Sequence, residues 1–90
     1  IFIMYKILIA NDKAEKRLQE YITSRNDIRG KLDRLKLEPR RELDAHPLHG
    51  RLAGKWGCWL GSNIRLVYTI NDSNETIIIE AVGTHKAYRN

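Results

Sequence analysis

The sequence predicts an α+β fold in which a two-helix hairpin packs on one face of a mostly antiparallel four-stranded sheet. Three observations predict it: an isoleucine-rich opening segment, two segments with helical periodicity, and three strand-like segments in the last third. The predicted order is therefore β-α-α-β-β-β. With 42% hydrophobic and 30% charged residues, residues 1–90 have the size and composition of a single globular domain.

The first strand is predicted over residues 2–9, where apolar residues alternate imperfectly with others and isoleucine is frequent. A helix is predicted to begin at Asp12, because Glu15 three positions later gives the spacing of a capping box. The apolar face of this helix consists of Ala14, Leu18, Tyr21 and Ile22.

A second helix is predicted to begin at Ser24, where Asp27 stands in place of the usual glutamate, and to end before Pro39. Its apolar face consists of Ile28, Leu32 and Leu35. The two helices are predicted to form a hairpin because only about two residues separate them.

Three further strands are predicted over residues 55–60, 64–70 and 76–82. The last of these is apolar on both sides, which predicts a central position in the sheet. Residues 40–54 are marked by polar residues, glycine and proline, which predicts a loop, with a short strand as the alternative.

Cys58 is the single cysteine, so the chain cannot form an intrachain disulfide or a cysteine-based zinc site. Its place between Trp56 and Trp59 in a strand-like segment predicts a buried small apolar residue and fits a reducing cytoplasm. No apolar run approaches the roughly 20 residues of a membrane span. Met4 is expected to be the start of translation, with residues 1–3 an upstream extension.

The net charge of +5 and the pI of about 9.6 favour a polyanionic partner, with nucleic acid first. A solvated basic surface explains the same charge equally well. The basic residues that are candidates to follow a phosphate backbone are Lys36, Arg40, Arg41, Arg51 and Lys55.

Arg65 lies between two apolar residues of the clearest strand, and alternation puts it on the face opposite Leu66. On an open face its guanidinium could hold a phosphate in bidentate fashion. The alternative is an exposed strand arginine paired with Glu80 on a neighbouring strand.

His85 follows the last strand, where functional groups are common, and histidine exchanges protons near neutral pH. Tyr88 could stack on a base or could pin the end of the chain to the sheet. His46 and His49 are three positions apart, but with one further histidine and one cysteine they do not make a convincing zinc site. No metal and no cofactor is predicted.

The chain resembles toxins of the RelE/ParE superfamily, which belong to type II toxin–antitoxin modules, from Met4 to Tyr88. Four motifs in this order carry the resemblance: Leu48-x-Gly50, Gly54-x-Trp56, Arg65-Leu66-Val67-Tyr68 and Gly83-Thr84-His85-x-x-Tyr88. The segment His46-Pro47-Leu48 is also similar to the YafQ branch, and the spacing from Gly54 to Arg65 is similar to that of the YoeB branch.

The resemblance implies a RelE-like fold and a ribosome-dependent endoribonuclease that cuts mRNA without a metal. In this chemistry the ribose 2′-hydroxyl attacks its own 3′-phosphate and a 5′-hydroxyl leaves. By position, Arg65 would hold the phosphate, His85 would be the acid or base, and Tyr88 would stack or assist proton transfer. His46 would be a weaker catalytic candidate.

The implied RNA-binding residues are Arg51, Lys55, Trp59 and Lys86. Trp59 departs from the resemblance, because many relatives have a basic residue there. The implied partners are an acidic antitoxin, mRNA and the ribosome. Two alternatives remain open at this stage: a ParE-like gyrase inhibitor without nuclease activity, and a degenerate toxin that only binds its antitoxin.

Overall fold

A computed structural model describes residues 3–61 and 63–84 of the chain. The elements are β1 (Lys6–Ile9), α1 (Asp12–Ser24), α2 (Ile28–Leu37), β2 (His46–Pro47), β3 (Trp56–Trp59), β4 (Arg65–Asn71) and β5 (Thr76–Gly83). The strands form one sheet in the order β1-β5-β4-β3-β2, in which β1 is parallel to β5 and the other pairs are antiparallel. No described helix is long and apolar enough to cross a membrane.

The predicted α+β class and element order are confirmed, and β5 is central, but the prediction of four strands is wrong. The fifth strand is β2, whose two residues pair with Gly57 and Trp56 at the edge of the sheet. It lies in the segment for which a short strand was the alternative to a loop, and two residues are too few to display the alternation that would decide between them.

The first helix begins at Asp12 as predicted, but its N-cap and the start of the second helix differ from the prediction. The N-cap of α1 is Asn11, whose backbone is extended and whose side chain accepts a hydrogen bond from the Ala14 amide at 2.8 Å. Ser24 still belongs to α1, and α2 begins after Asp27. The Asp27 carboxylate does not cap the helix, because it binds Arg25 at 2.8 Å instead.

Both helices pack against one face of the sheet. The residues buried between them are Ala14, Leu18, Ile28, Leu32, Leu35, Cys58, Leu60, Ile64, Leu66, Tyr68, Ile77, Ile79 and Val82. Cys58 is buried as predicted, and burial raises the pKa of its thiol to about 12. The thiol is therefore neutral at physiological pH and is not a nucleophile.

The Tyr68 hydroxyl is the polar group at the centre of this core. It donates a hydrogen bond of 2.6 Å to the carbonyl oxygen of Pro39, just beyond the end of α2. Burial also raises the pKa of Tyr68, so the hydroxyl keeps its proton. This bond fixes the exit of α2 to the middle of the sheet.

A second polar cluster joins the start of β1 to the turn between β4 and β5. Asp72 accepts a hydrogen bond from the Tyr5 hydroxyl at 2.7 Å and forms an ion pair with Arg40 at 2.9 Å. These bonds, led by the one from Arg40, hold the pKa of the Asp72 carboxyl below its ordinary value of 3.8. The Arg40 guanidinium also lies 5.8 Å from the centre of a Trp56 ring.

We predict that Tyr68→Phe lowers the free energy of unfolding by about 1–3 kcal/mol, because the Pro39 carbonyl loses its donor in a buried place. Urea denaturation measures the change. The control is Tyr21→Phe, since the Tyr21 hydroxyl makes no hydrogen bond within the described part of the chain. Equal effects of the two substitutions would contradict the role assigned to the Tyr68 hydroxyl.

Candidate nucleic-acid interface

The face of the sheet opposite the helices carries several of the predicted functional residues, which are Arg65, Trp59, His46 and Lys55. Because Leu66 and Tyr68 enter the core, alternation along β4 puts Arg65 and Val67 on this second face, here called the open face. In register, Arg65 lies between Trp59 on β3 and Gly83 on β5. The open face therefore gathers side chains that are far apart in the sequence.

Arg65 and Trp59 form a cation–π contact. The Arg65 Cζ atom lies 4.1 Å from the centre of the Trp59 ring, and both residues are half-buried. Such contacts contribute about 0.5–2 kcal/mol, with tryptophan the best partner. The guanidinium is thus held over an aromatic surface.

His46 lies on the same face, across β3 from Arg65. It pairs with Gly57 on β3, which in turn pairs with Val67 on β4. Two strand spacings and one two-residue step along a strand put the Cα atoms of His46 and Arg65 about 12 Å apart. One short stretch of nucleic acid can therefore contact both side chains.

The imidazole of His46 is oriented by the backbone before it. Its Nδ1 atom lies 2.9 Å from the Asp44 carbonyl oxygen, a contact in which Nδ1 donates, so in the neutral ring Nε2 is the acceptor. Leu43 and Asp44 both adopt left-handed backbone angles, with φ of 60° and 57°. This conformation is costly for a leucine, and residues held this way are found most often at functional sites.

Gly57 makes room for this arrangement. A Cβ atom there would lie 3.1 Å from Leu48 Cδ2 and 3.5 Å from His46 Nε2. Both side chains therefore lie directly over the glycine. A larger residue would push the β2 segment away from the open face.

Lys55 and Glu80 form an ion pair on the open face, each with less than a third of its side chain exposed. A β-bulge in the pairing of β4 with β5 lies opposite Val67 and Tyr68 and leaves Glu80 as the extra residue. The alternative drawn from the sequence was an ion pair between Arg65 and Glu80. In the structure Glu80 instead binds Lys55. The residue opposite Arg65 on β5 is Gly83. Lys55 is thus a cation whose charge is already balanced within the chain.

The other predicted residues are more dispersed. Arg51 is exposed in a short 3-10 turn, Gly50–Leu52, and His49 is exposed just before it. Within the described ranges, no three histidine, cysteine or acidic side chains converge as metal ligands would. His85, Lys86 and Tyr88 lie outside the described residues, and in the sequence His85 follows Gly83 by two positions.

Sequence reasoning missed both contacts on this face, the Trp59–Arg65 stack and the Lys55–Glu80 pair. Each depends on strand register, and the bulge that positions Glu80 leaves no pattern in the sequence. The turn sequence Gly61-Ser62-Asn63 could have suggested the first contact, because Trp59 and Arg65 each lie two positions from it and residues equally distant from a hairpin turn lie opposite each other.

Comparison with solved structures places this geometry in a known fold. A chain of the RelBE2 toxin–antitoxin complex from Mycobacterium tuberculosis superposes with a TM-score of 0.72 at 24% identity, covering 92% of this chain and all of that one. The YoeB–YefM complex from Staphylococcus aureus gives 0.71 at 20% identity, with 90% and 97% covered. The archaeal RelE–RelB complex from Pyrococcus horikoshii gives 0.68 at 24% identity, with 90% and 94% covered.

The chain has the fold of RelE/ParE superfamily toxins over nearly its whole length. No family model matches the sequence, and no curated protein sequence matches it.

We predict that Gly57→Val destabilises the chain by about 1–3 kcal/mol, because the added atoms collide with Leu48 and His46. Thermal and urea unfolding measure the loss, and amide spectra should show the largest changes in β2. Gly30→Ala is the matched control: no atom lies within 4 Å of its added carbon, so an exposed helical alanine should stabilise by about 1 kcal/mol. A Gly57→Val protein as stable as the parent would rule out the close packing described above.

Proposed function

We propose that this chain, with its RelE/ParE-type fold, is the toxin of a type II toxin–antitoxin module and acts in the cytoplasm by cutting translated mRNA on the ribosome. The observation that carries the proposal is the presentation of Arg65 on the open face, stacked on Trp59 and beside the end of β5. In this fold, that end of β5 leads directly into the sequence Gly83-Thr84-His85.

The proposed reaction is attack of a ribose 2′-hydroxyl on the adjacent 3′-phosphate, with departure of the 5′-hydroxyl of the next nucleotide. Arg65 suits the charge that develops on the phosphate oxygens, because a guanidinium offers paired donors and stays protonated. Preorganised donors of this kind supply much of the rate enhancement in phosphoryl chemistry.

Proton transfer is assigned to histidine. His85 is the first candidate for the acid or base, on the strength of its motif, and Tyr88 is assigned to base stacking or assistance. His46 is the second candidate, because its Nε2 atom is the unprotonated nitrogen of the neutral ring and lies on the open face. We assign no metal and no cofactor to the reaction.

RNA contacts outside the reacting phosphate are assigned to Arg51 and Lys86. Lys55 is a weaker candidate than the sequence suggests, because RNA phosphates must compete with Glu80 for it. The ParE-like alternative needs no proton-transferring group. It is therefore distinguished by an experiment on cleavage rather than by fold.

We predict that Arg65→Ala abolishes growth inhibition and that His85→Ala lowers mRNA cleavage by about 10²–10⁴-fold. Cleavage is measured in a purified translation system with mapping of mRNA 5′ ends. The exposed Glu20→Gln on α1 is the control and should cut at the parental rate. Circular dichroism must show that all variants are folded.

In-frame cuts within translated codons would support the nuclease. DNA damage signalling without cuts would support a gyrase inhibitor. The absence of any effect on growth would leave a chain that only binds an antitoxin.

We propose an acidic antitoxin as the protein partner. The proposal is supported by the similar structures named above, which are the RelBE2 toxin–antitoxin complex, the YoeB–YefM complex and the RelE–RelB complex. The surface that suits it surrounds edge strand β1, where the exposed apolar residues collect. These residues are Ile3, Met4, Leu8 and Leu37. A groove of about 680 Å³ beside them is lined in part by Arg40 and Arg41. Because Asp72 already binds Arg40, Arg41 is the cation that an acidic segment would meet first.

We predict tight binding of an antitoxin encoded beside this chain, with an association rate that falls as salt increases. Arg41→Glu should slow association, and Leu37→Glu should speed dissociation. Stopped-flow or surface-based kinetics measure both rates, and Glu20→Gln again serves as the control. A neighbouring gene product that binds without blocking cleavage would count against the proposed partner.

A further inference from the structure

We propose that Trp59 is a positioning residue for the reaction, which holds the Arg65 guanidinium in place by stacking and does not itself stack on a base. This inference rests on the proposed function. The two residues are directly opposed in the antiparallel pairing of β3 with β4, and the guanidinium carbon lies 4.1 Å from the ring centre.

The backbone at Trp59 is held by its buried neighbours and by β4. Cys58 and Leu60 are buried in the core, and Trp59 pairs directly with Arg65 on β4, while the pairing of β3 with β2 lies at Trp56 and Gly57. The indole therefore offers a fixed surface on a sheet, which is a more rigid support than a loop residue provides. Arginine by itself has a long side chain with several freely rotating bonds, so it gains order from such a support.

A stacking contact does not use the hydrogen-bonding groups of a guanidinium. The N–H groups of an arginine lie in the guanidinium plane, whereas a ring attracts the cation by its charge. In Arg65 the Nε atom is buried, so the two terminal nitrogens are the ones that a phosphate would meet. Stacking on Trp59 and hydrogen bonding in the guanidinium plane therefore do not compete for the same atoms.

A base-stacking role for Trp59 fits the same geometry less well. The ring face that meets Arg65 is occupied by the guanidinium, and the residue is half-buried in the sheet. An indole also has no group that exchanges protons near neutral pH, so Trp59 cannot replace a basic residue as an acid or base. Its remaining contribution is to the position of the neighbouring charge.

The Arg40–Trp56 contact provides a comparison within the same chain. There the guanidinium carbon lies at 5.8 Å from the ring centre and Arg40 is fixed by its ion pair with Asp72. Trp56→Phe should therefore leave cleavage close to the parental rate. It also leaves Trp59 as the only indole in the chain, which simplifies spectroscopy.

The test uses the full chain with Trp59→Leu and Trp59→Phe, in the parental and the Arg65→Ala backgrounds. Trp59→Leu should lower the rate of mRNA cleavage by roughly 10–100-fold and change RNA affinity less. A misplaced guanidinium can still bind a phosphate, but it does not align the phosphate for the reaction. Trp59→Phe should fall between the parent and Trp59→Leu, because a smaller ring retains part of the attraction. In the Arg65→Ala background, Trp59→Leu should reduce the binding of a short RNA no further.

A second measurement does not need cleavage. The Nε–H resonance of Arg65 should show a ring-current shift that disappears in Trp59→Leu and is kept in Trp56→Phe. An Arg65 resonance that does not respond to Trp59→Leu would overturn the inference, even if the chain cuts mRNA. Weaker RNA binding by Trp59→Leu in the Arg65→Ala background would overturn it in favour of base stacking.

Failure of the proposed function has a different signature. A parent chain that never cuts mRNA would remove the nuclease assignment, and the resonance would still report whether Trp59 holds Arg65. In that case, loss of the shift together with weaker inorganic phosphate binding in Trp59→Leu would support the positioning role. Unchanged phosphate binding would overturn it.

Discussion

The alternation of β4 between two surfaces is the constraint on which the rest of the structure depends. Leu66 and Tyr68 are fully buried under the helices, and this burial forces Arg65 to the other side of the sheet. A slip of one residue in the register would exchange the two sets, burying a guanidinium and exposing a leucine. The packing of Leu66 and Tyr68 in the core therefore decides which face of the sheet carries Arg65.

The two hydrogen-bonded clusters explain how the connecting segments are held. The bond from Tyr68 to the Pro39 carbonyl gives the long connection after α2 a fixed origin in the core. The Asp72 cluster does the same at the outer end of the sheet, through Arg40. These two anchors are adjacent, at Pro39 and Arg40, and from there the connection reaches the far edge of the sheet and brings His46 to the open face.

Much of the fold could be predicted from the sequence because its signals are local. Apolar periodicity identifies both helices and the strands β4 and β5, and the face that carries Arg65 follows from alternation alone. The N-cap of α1 was misassigned because Asn11 competes with Asp12 as a cap, and a pattern cannot rank two adjacent cap residues of similar strength. Strand β2 could be given only as an alternative to a loop, because its pairing is decided by residues that are distant in the sequence.

The candidate site is less predictable than the fold, for a physical reason. The Trp59–Arg65 stack and the Lys55–Glu80 pair are set by cross-strand register, and the second also by a bulge. Motif resemblance names Arg65 and His85 but gives no account of a tryptophan in a basic position. Only the paired strands show that this ring and the arginine meet.

The pairing of β1 with β5 has a consequence for the order of events during synthesis. Lys6 lies opposite Thr76, so the first strand must wait for about 70 further residues, roughly 4–14 s of translation, before its neighbour exists. Within the described residues, every strand contact of β1 therefore waits for the synthesis of β5, and such non-local closure slows folding. If this chain cuts translated messages, the ribosome must read its own message as far as β5 before the sheet that carries Arg65 can close.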